Sequence, residues 1–296
     1  MVEKKSLISS EVANKIKQLE IFTRRLLNGT LVGDSRSAIK GTGFEFDQIR
    51  EYSFGDDIRF IDWKASARND KLLVKQYIEE RSRTIFLVVD VSQSSIFGSG
   101  QHNKNSRIVE LASVLALVAQ HGKDRVGLLM FSDKIEGYIP PGNSLQHVHH
   151  IMQTLLSFKP KQSKTDISKA LQHLLSIKKS DAIVFLISDF IDETLDAYLA
   201  QAARKYDLIA VRCLDANEKM IPPVGFITVE DLETGELVEL DLRNRRSGDV
   251  RKFLATRLEQ QNKLLRRSGA DLFEVALERN DYLSEMINFF RRRMMY

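Results

Sequence analysis

The stretch Thr84-Ile-Phe-Leu-Val-Val-Asp90-Val-Ser92-Gln-Ser94 decides the fold. Five consecutive apolar residues, most of them branched or aromatic, are typical of a strand buried on both faces at the centre of a parallel sheet. The run ends on a carboxylate, and two hydroxyl residues follow it at alternate positions. Because open α/β sheets bind ligands at the carboxyl ends of their strands, this end of the strand is a candidate site.

Strands and helices alternate after this stretch. Further strands are predicted at 125–131, 182–188, 208–213 and 272–276, a β-hairpin at 225–242, and helices at 106–120, 144–158, from 165 to 175, at 195–206, 247–268 and 281–293. This order predicts an α/β fold with a doubly wound, mostly parallel sheet, right-handed crossovers and helices on both faces.

The chain before the central strand has a different pattern. An amphipathic helix is predicted at 10–28, ending at Gly29, followed by a loop-rich segment and a strand at 72–80. We therefore divide the chain into an N-terminal helix and loop-rich segment at 1–81 and an α/β domain at 82–296.

Composition indicates an ordinary globular protein of a reducing compartment. The 296 residues are 43% hydrophobic and 28% charged, and the single cysteine, Cys213, excludes an internal disulfide framework. The N-terminus lacks the apolar core of a signal peptide, and the longest apolar runs, such as 182–187, are too short to cross a bilayer. We expect a cytoplasmic protein without a transmembrane segment.

Charge is distributed unevenly along the chain. Residues 1–40 hold eight Lys/Arg against four Asp/Glu, and residues 241–296 hold thirteen against eight, so the middle of the chain is acidic. An acidic middle favours a cation over a phosphate at the candidate site. The basic ends are interpreted first as solvated faces and second as docking surfaces, with peripheral contact to an anionic membrane left open. No recognised nucleic-acid-binding motif accompanies them.

The segment 50–68 mixes aromatic residues with acids and arginines and contains the only tryptophan, Trp63. Such a mixture usually indicates aromatic packing held by arginine–carboxylate bonds. We expect a structural role for this segment and a buried Trp63. Three histidines at 147, 149 and 150 are interpreted as surface residues, because no cysteine or third ligand on their face supports a zinc site.

Three separate segments supply candidate metal ligands. Asp90, Ser92 and Ser94 follow the central strand, Thr165 begins a helix, and Asp189 follows a second buried strand. Carboxylate and hydroxyl oxygens suit a hard cation such as Mg²⁺ or Mn²⁺. Two competing interpretations remain for single residues: Thr165 as a helix N-cap and Asp189 as a turn residue.

This set of five residues resembles the metal-ion-dependent adhesion site of the von Willebrand factor A-like fold. The resemblance spans about residues 82–292 and includes Val126-Gly-Leu-Leu-Met-Phe131-Ser132-Asp133. It implies a Rossmann-like sheet and a non-enzymatic domain that binds Mg²⁺ or Mn²⁺ and then an acidic residue of a client protein.

The segment Arg50-Glu-Tyr52-Ser-Phe-Gly55-Asp56-Asp57-Ile-Arg59-Phe-Ile-Asp62-Trp63-Lys-Ala-Ser66-Ala-Arg68 is similar to the signature of a bacterial family of unknown function. Members of that family are commonly found beside MoxR-type AAA+ ATPases, so the resemblance implies such an ATPase as a partner. The family often has two glycines before Thr-Asp, where this chain has Ser163-Lys164.

The alternative function is a Mg²⁺-dependent phosphohydrolase of the haloacid-dehalogenase kind. Such enzymes use an aspartate nucleophile at the end of the first buried strand and a second aspartate two residues later as the acid/base. Here Ser92 occupies the second position and cannot transfer protons near neutral pH, so a binding module is preferred. No Walker-type phosphate loop is present, and we expect no ATP hydrolysis by this chain.

Overall fold

The computed structural model describes most of the chain. The described residues are 10–31, 44–69, 71–79, 82–92, 104–159, 164–178, 181–190, 196–214, 226–230, 237–241, 245–276, 285–286 and 288–289.

Ten strands and seven α-helices are named in chain order. The helices are α1 (Ser10–Leu31), α2 (Trp63–Ser66), α3 (Lys104–His121), α4 (Leu145–Ser157), α5 (Ile167–Ser176), α6 (Asp196–Lys205) and α7 (Arg245–Ser268). The strands are β1 (Phe44–Glu51), β2 (Leu73–Glu79), β3 (Thr84–Asp90), β4 (Arg125–Phe131), β5 (Ile135–Gly142), β6 (Ala182–Ser188), β7 (Asp207–Leu214), β8 (Phe226–Glu230), β9 (Leu237–Asp241) and β10 (Asp271–Ala276).

Six strands form the main sheet in the order β10-β7-β6-β3-β4-β5. All neighbours pair in parallel except β5, which runs antiparallel to β4 at one edge. The mixed α/β architecture predicted from the alternation of apolar runs is confirmed. The strand order reverses beside β3, which has β4 on one side and β6 on the other, and this reversal is where such sheets bind ligands.

The central strand β3 is buried along its whole length, as its apolar run predicts. Its residues alternate between two cores. Leu87 and Val89 belong to the core under α3 and α4, whereas Phe86 and Val88 belong to the core under α5 and α6. Helices therefore cover both faces of the sheet, and the polar end of β3 emerges between them.

Helix α1 packs on the main domain. Ile16 and Leu19 are buried in the core that α3 and α4 share with the sheet, as the amphipathic pattern predicts. The imidazole Nε2 of His149 lies 2.6 Å from a carboxylate oxygen of Glu20, which joins α4 to α1. The predicted helix end at Gly29 is wrong, because α1 continues to Leu31.

The segment before β3 differs from its prediction in two respects. Strand β1 was expected to be loop, yet it pairs antiparallel with β2. Trp63 was expected to be buried, yet 66% of it is exposed, whereas Ile61 and Val74 form a bridge between their backbones and are buried. The expected arginine–carboxylate bond is present: Arg50 donates two hydrogen bonds of 2.7 Å to Asp56.

Two further predictions concern the C-terminal part. The hairpin at 225–242 is confirmed as β8 paired antiparallel with β9. The predicted helix at 281–293 lies largely outside the described residues; its described part is helical at 285–286 and 288–289, and Met286 is buried in the core. Over the described ranges, every helix is too short or too polar to cross a bilayer.

Candidate metal-binding site

Asp90 ends β3 at the point where the strand order reverses. The parallel register pairs Val89 with Ile187, so the next residues along the two strands, Asp90 and Ser188, are neighbours. The Ser188 hydroxyl donates a 2.7 Å hydrogen bond to Asp90 Oδ2, and the backbone N–H of Ser92 donates a 3.0 Å hydrogen bond to Oδ1. Asp90 is thus completely buried with both carboxylate oxygens hydrogen-bonded.

Ser92 connects the end of β3 to the start of α5. The hydroxyl of Thr165 donates a 2.8 Å hydrogen bond to the hydroxyl oxygen of Ser92, across 73 residues of sequence. Thr165 is not the N-cap of α5. That position belongs to Asp166, whose carboxylate accepts a 3.0 Å hydrogen bond from the Lys169 N–H. The competing interpretation of Thr165 is therefore wrong, and its side chain is directed to the site.

The loop after β4 holds Thr165 in place. The backbone N–H of Asp166 donates a 2.9 Å hydrogen bond to the carbonyl of Ser132, and Lys169 Nζ donates a 2.8 Å hydrogen bond to the carbonyl of Asp133. These bonds join the start of α5 to the end of β4. The ends of β3 and β4 and the start of α5 thereby meet at the carboxyl ends of the strands.

Asp189 follows β6 and is buried with a lysine. Its Oδ2 lies 3.2 Å from Nζ of Lys104, the first residue of α3, and each side chain is only 1% exposed. A buried charge is costly unless it is paired, so the two side chains stabilise each other's burial. Asp189 is therefore part of a charged cluster, and its interpretation as an ordinary turn residue is insufficient.

Burial first and the nearby charge of Asp189 second raise the pKa of Asp90, which reaches about 7. Hydrogen bonds from Ser92 and Ser188 oppose these effects by stabilising the carboxylate. Asp189 directly follows Ser188, whose hydroxyl donates to Asp90, so the two acids lie close together. Two adjacent buried carboxylates favour the arrival of positive charge.

The turn after β6 is held from two sides. Phe190 has a left-handed backbone, with φ of 59°, which is unfavourable for a bulky side chain. Its N–H donates a 3.0 Å hydrogen bond to the Ser188 hydroxyl oxygen, and its carbonyl accepts a 2.7 Å hydrogen bond from Gln261 of α7. The buried Phe190 ring adds packing, and together these contacts fix the position of Asp189.

Four of the five predicted ligands are therefore brought together: Asp90, Ser92, Thr165 and Asp189. The fifth, Ser94, lies outside the described residues. The donors present are carboxylates and hydroxyls, which fit a small hard cation. Within the ranges that the structure describes, no group of three or more His, Cys, Asp or Glu side chains is arranged to hold a metal.

Sequence reasoning missed two residues of this cluster, Ser188 and Lys104. Ser188 could have been found from the sequence. It is the last residue of β6 as Asp90 is the last residue of β3, so the two lie side by side when the strands are aligned in parallel. Lys104 had no comparable signal: it precedes an ordinary helical pattern, and its partner Asp189 is 85 residues away.

The histidines of α4 have structural contacts. Nε2 of His147 lies 2.8 Å from the carbonyl of Val126, and His149 contacts Glu20 of α1. Both rings therefore join α4 to its neighbours and are half-buried, so the interpretation as surface residues holds only for His150.

Comparisons with known proteins place the chain in a family. A model of the family described as "Protein of unknown function DUF58" matches residues 48–263. The uncharacterized protein Mb1516 of Mycobacterium bovis is 27% identical over 286 residues, covering 96% of this chain and 90% of the relative. The uncharacterized protein YeaD of Bacillus subtilis is 31% identical over 108 residues, covering 36% of this chain and 25% of the relative.

Two solved structures are similar at low sequence identity. The conserved hypothetical protein BatB from Bacteroides thetaiotaomicron has a TM-score of 0.47 and 13% identity, covering 72% of this chain and 99% of that chain. An aerotolerance-related membrane protein from Bacteroides fragilis has a TM-score of 0.45 and 13% identity, covering 70% of this chain and 96% of that chain. The function has to be inferred from the site itself.

Proposed function

We propose a function for this chain, which belongs to the family of proteins of unknown function DUF58. It is a non-enzymatic, metal-dependent protein-binding module with a von Willebrand factor A-like fold. Asp90, Ser92, Ser94, Thr165 and Asp189 hold Mg²⁺ or Mn²⁺, and the bound ion attracts an acidic residue of a client protein. The module acts in the cytoplasm with a MoxR-type AAA+ ATPase in the assembly or activation of a client complex.

One observation carries this proposal: the 2.8 Å hydrogen bond between the hydroxyls of Thr165 and Ser92. Thr165 is not needed as a helix cap, because Asp166 does that. Its hydroxyl instead joins Ser92 beside a buried acid. A cation site built mainly from hydroxyl ligands requires hydroxyl groups from separate segments to lie beside the same pair of acids. Ser92 and Thr165 meet this requirement.

The chain's own residues have distinct tasks at this site. Asp90 and Asp189 supply negative charge, while Ser92 and Thr165 supply neutral oxygens. Ser188 and the Ser92 N–H hold the Asp90 carboxylate in one orientation. A cation there would remain electrophilic, since hydroxyl ligands are neutral and donate weakly. Thr165 is partly exposed and marks the side from which a partner would approach.

The alternative phosphohydrolase function gains one supporting feature, because the Lys104 ammonium could contact a phosphate. It still lacks an acid/base at Ser92, and both Asp90 and Ser92 are completely buried. Without an acid/base two residues after Asp90, the arrangement favours binding over turnover.

Metal removal tests the proposal directly. A ligand that binds only the folded protein raises its stability by about 2.7 kcal/mol at a hundredfold excess over Kd. Thermal melts should therefore shift upward from EDTA to saturating MgCl₂ or MnCl₂. Asp90→Asn should abolish that shift, because it removes a ligand charge but keeps the side-chain shape.

The matched control is Asp181→Asn. Asp181 is an exposed acid immediately before β6, whereas Asp189 follows the other end of that strand. Replacing Asp181 should therefore leave the metal-induced shift in melting temperature unchanged. Tagged wild-type chain should also retain partner proteins in Mg²⁺ and release them in EDTA. Identical melts with and without metal, together with no calorimetric binding, would refute the proposal.

A further inference from the structure

Lys104 lies in an unfavourable place for a lysine. Its ammonium group is 1% exposed, and removing such a charge from water is costly. Lys104 is also the first residue of α3, where the helix dipole disfavours positive charge. The charge of Asp189, 3.2 Å away, offsets both penalties. The burial of Lys104 at this position is therefore explained by its charge interaction with the acids. The helix itself would disfavour a lysine there.

The acid pair needs positive charge. Asp189 directly follows Ser188, whose hydroxyl donates to Asp90, and both acids are almost fully buried, so two like charges are held close together away from water. Two other buried cations of the described chain, Arg107 and Arg212, have acidic partners elsewhere: Glu110 and Glu274. Lys104 supplies the cluster with a cation from within the chain.

We propose that the Lys104 ammonium is a built-in counter-ion that competes with the divalent cation for Asp189. This inference rests on the proposed function and adds a regulatory step to the same site. A monovalent and a divalent cation on one buried carboxylate repel each other strongly, so the two are alternatives. Metal uptake then requires Lys104 to leave Asp189, which couples the site to the first turn of α3.

Lysine labelling of the wild-type protein tests the exchange without any mutation. Amine acetylation followed by mass spectrometry should show Lys104 protected in EDTA, because it is buried. In saturating MgCl₂ its labelling should rise by about fivefold or more, as expected for a displaced ammonium. The exposed Lys64 serves as the internal reference and should label equally in both conditions. Protection of Lys104 that persists at saturating Mg²⁺ overturns the inference.

Calorimetry with MgCl₂ on the Lys104→Met variant tests the competition. Removing the competing charge should tighten Mg²⁺ binding by about tenfold or more relative to wild type. Lys104→Arg keeps the charge and should bind no tighter than wild type. Lys134→Met, at an exposed lysine near the site, controls for a general loss of positive charge. Equal or weaker binding by Lys104→Met overturns the inference.

The outcomes separate this inference from the proposed function. Wild type that binds Mg²⁺ while Lys104 stays protected refutes the competition alone. Binding by Lys104→Met but not by wild type supports the competition and refutes metal dependence of the wild-type protein. Absence of binding by both refutes both. Should Lys104→Met fail to fold in EDTA because the acid pair has lost its cation, recovery of the fold in MgCl₂ supports the inference. If the variant does not fold in MgCl₂ either, the labelling of wild-type Lys104 decides.

Discussion

Trp63 illustrates at the residue scale how composition can mislead about burial. The aromatic and charged segment 50–68 predicted a buried tryptophan, yet Ile61 and Val74 occupy the apolar centre and Trp63 remains largely exposed. The indole is therefore separate from the buried apolar pair of this segment.

Replacing Trp63 with Ala should therefore cost no more than about 0.5 kcal/mol of unfolding free energy, as for other surface substitutions. Val74→Ala is the matched comparison: Val74 is 4% exposed, and its truncation should cost about 1–3 kcal/mol. Urea denaturation followed by circular dichroism measures both values.

Fluorescence offers an independent check on the same residue, because Trp63 is the only tryptophan. Its native emission should resemble that of an exposed indole and change little on unfolding. A cost of several kcal/mol for Trp63→Ala, or strongly blue-shifted native emission, would show that the indole is buried after all.

At the scale of elements, α3 and α7 end in the same way with different residues. In α3, the N–H of Asp124 bonds to the Ala119 carbonyl and the N–H of Lys123 to the Gln120 carbonyl. The ends of both helices show this pattern of a Schellman motif, which places one residue in the left-handed region. That residue is Lys123 in α3, with φ of 59°, and Gly269 in α7, with φ of 86°.

The left-handed conformation is costly for lysine and not for glycine. Lys123→Gly should therefore raise the unfolding free energy by about 0.5–1 kcal/mol, and Gly269→Lys should lower it by about 1 kcal/mol. A Cβ at position 269 would lie 4.0 Å from Ala203 Cβ, so the loss reflects the backbone and not a clash.

Gly122→Ala is the control for Lys123→Gly in the same measurement of unfolding free energy, because it changes a glycine whose backbone is not left-handed. Gly122 stands next to Lys123 but is not left-handed, so an alanine there should be neutral or slightly stabilising. If Lys123→Gly stabilises the protein no more than Gly122→Ala does, the left-handed conformation of Lys123 is not the cause of the gain.

At the scale of the whole molecule, the residue two positions after Asp90 distinguishes a binding module from a phosphatase. Asp90 is completely buried under the ends of β3 and β6, and Ser92 stands where an acid/base would be needed. We expect no turnover of a generic phosphomonoester, such as p-nitrophenyl phosphate, by the wild-type protein in MgCl₂ or MnCl₂.

Ser92→Asp sharpens this prediction. It restores the second acid of the competing mechanism but adds negative charge beside the metal, so it should weaken capture of an acidic partner and still give no turnover. The release of phosphate and the retention of partner proteins are the two measurements. Metal-dependent phosphatase activity of the wild type that disappears in Asp90→Asn would refute the binding-module proposal.

The sequence by itself determined the alternation of strands and helices, whereas the strand order and the antiparallel edge strand β5 came from the tertiary structure. The apolar runs of β3, β4 and β6 are long and uninterrupted, and helical periodicity predicted α3, α4 and α5 close to their observed bounds. These signals are local, since the period of apolar residues along a strand or helix depends only on which faces are buried. Asp90 and Asp189 were predictable for a related reason: each is the acid that directly follows such a run.

Only the tertiary structure decided which side chains accompany those acids. The register of β3 on β6 pairs Asp90 with Ser188, and the packing of α3 on the sheet brings Lys104 to Asp189. Neither contact leaves a trace in local periodicity, because the partners lie 98 and 85 residues apart and meet only once the sheet is assembled. The exposure of Trp63 was decided in the same way, since local composition does not distinguish it from Ile61, which is buried two residues earlier.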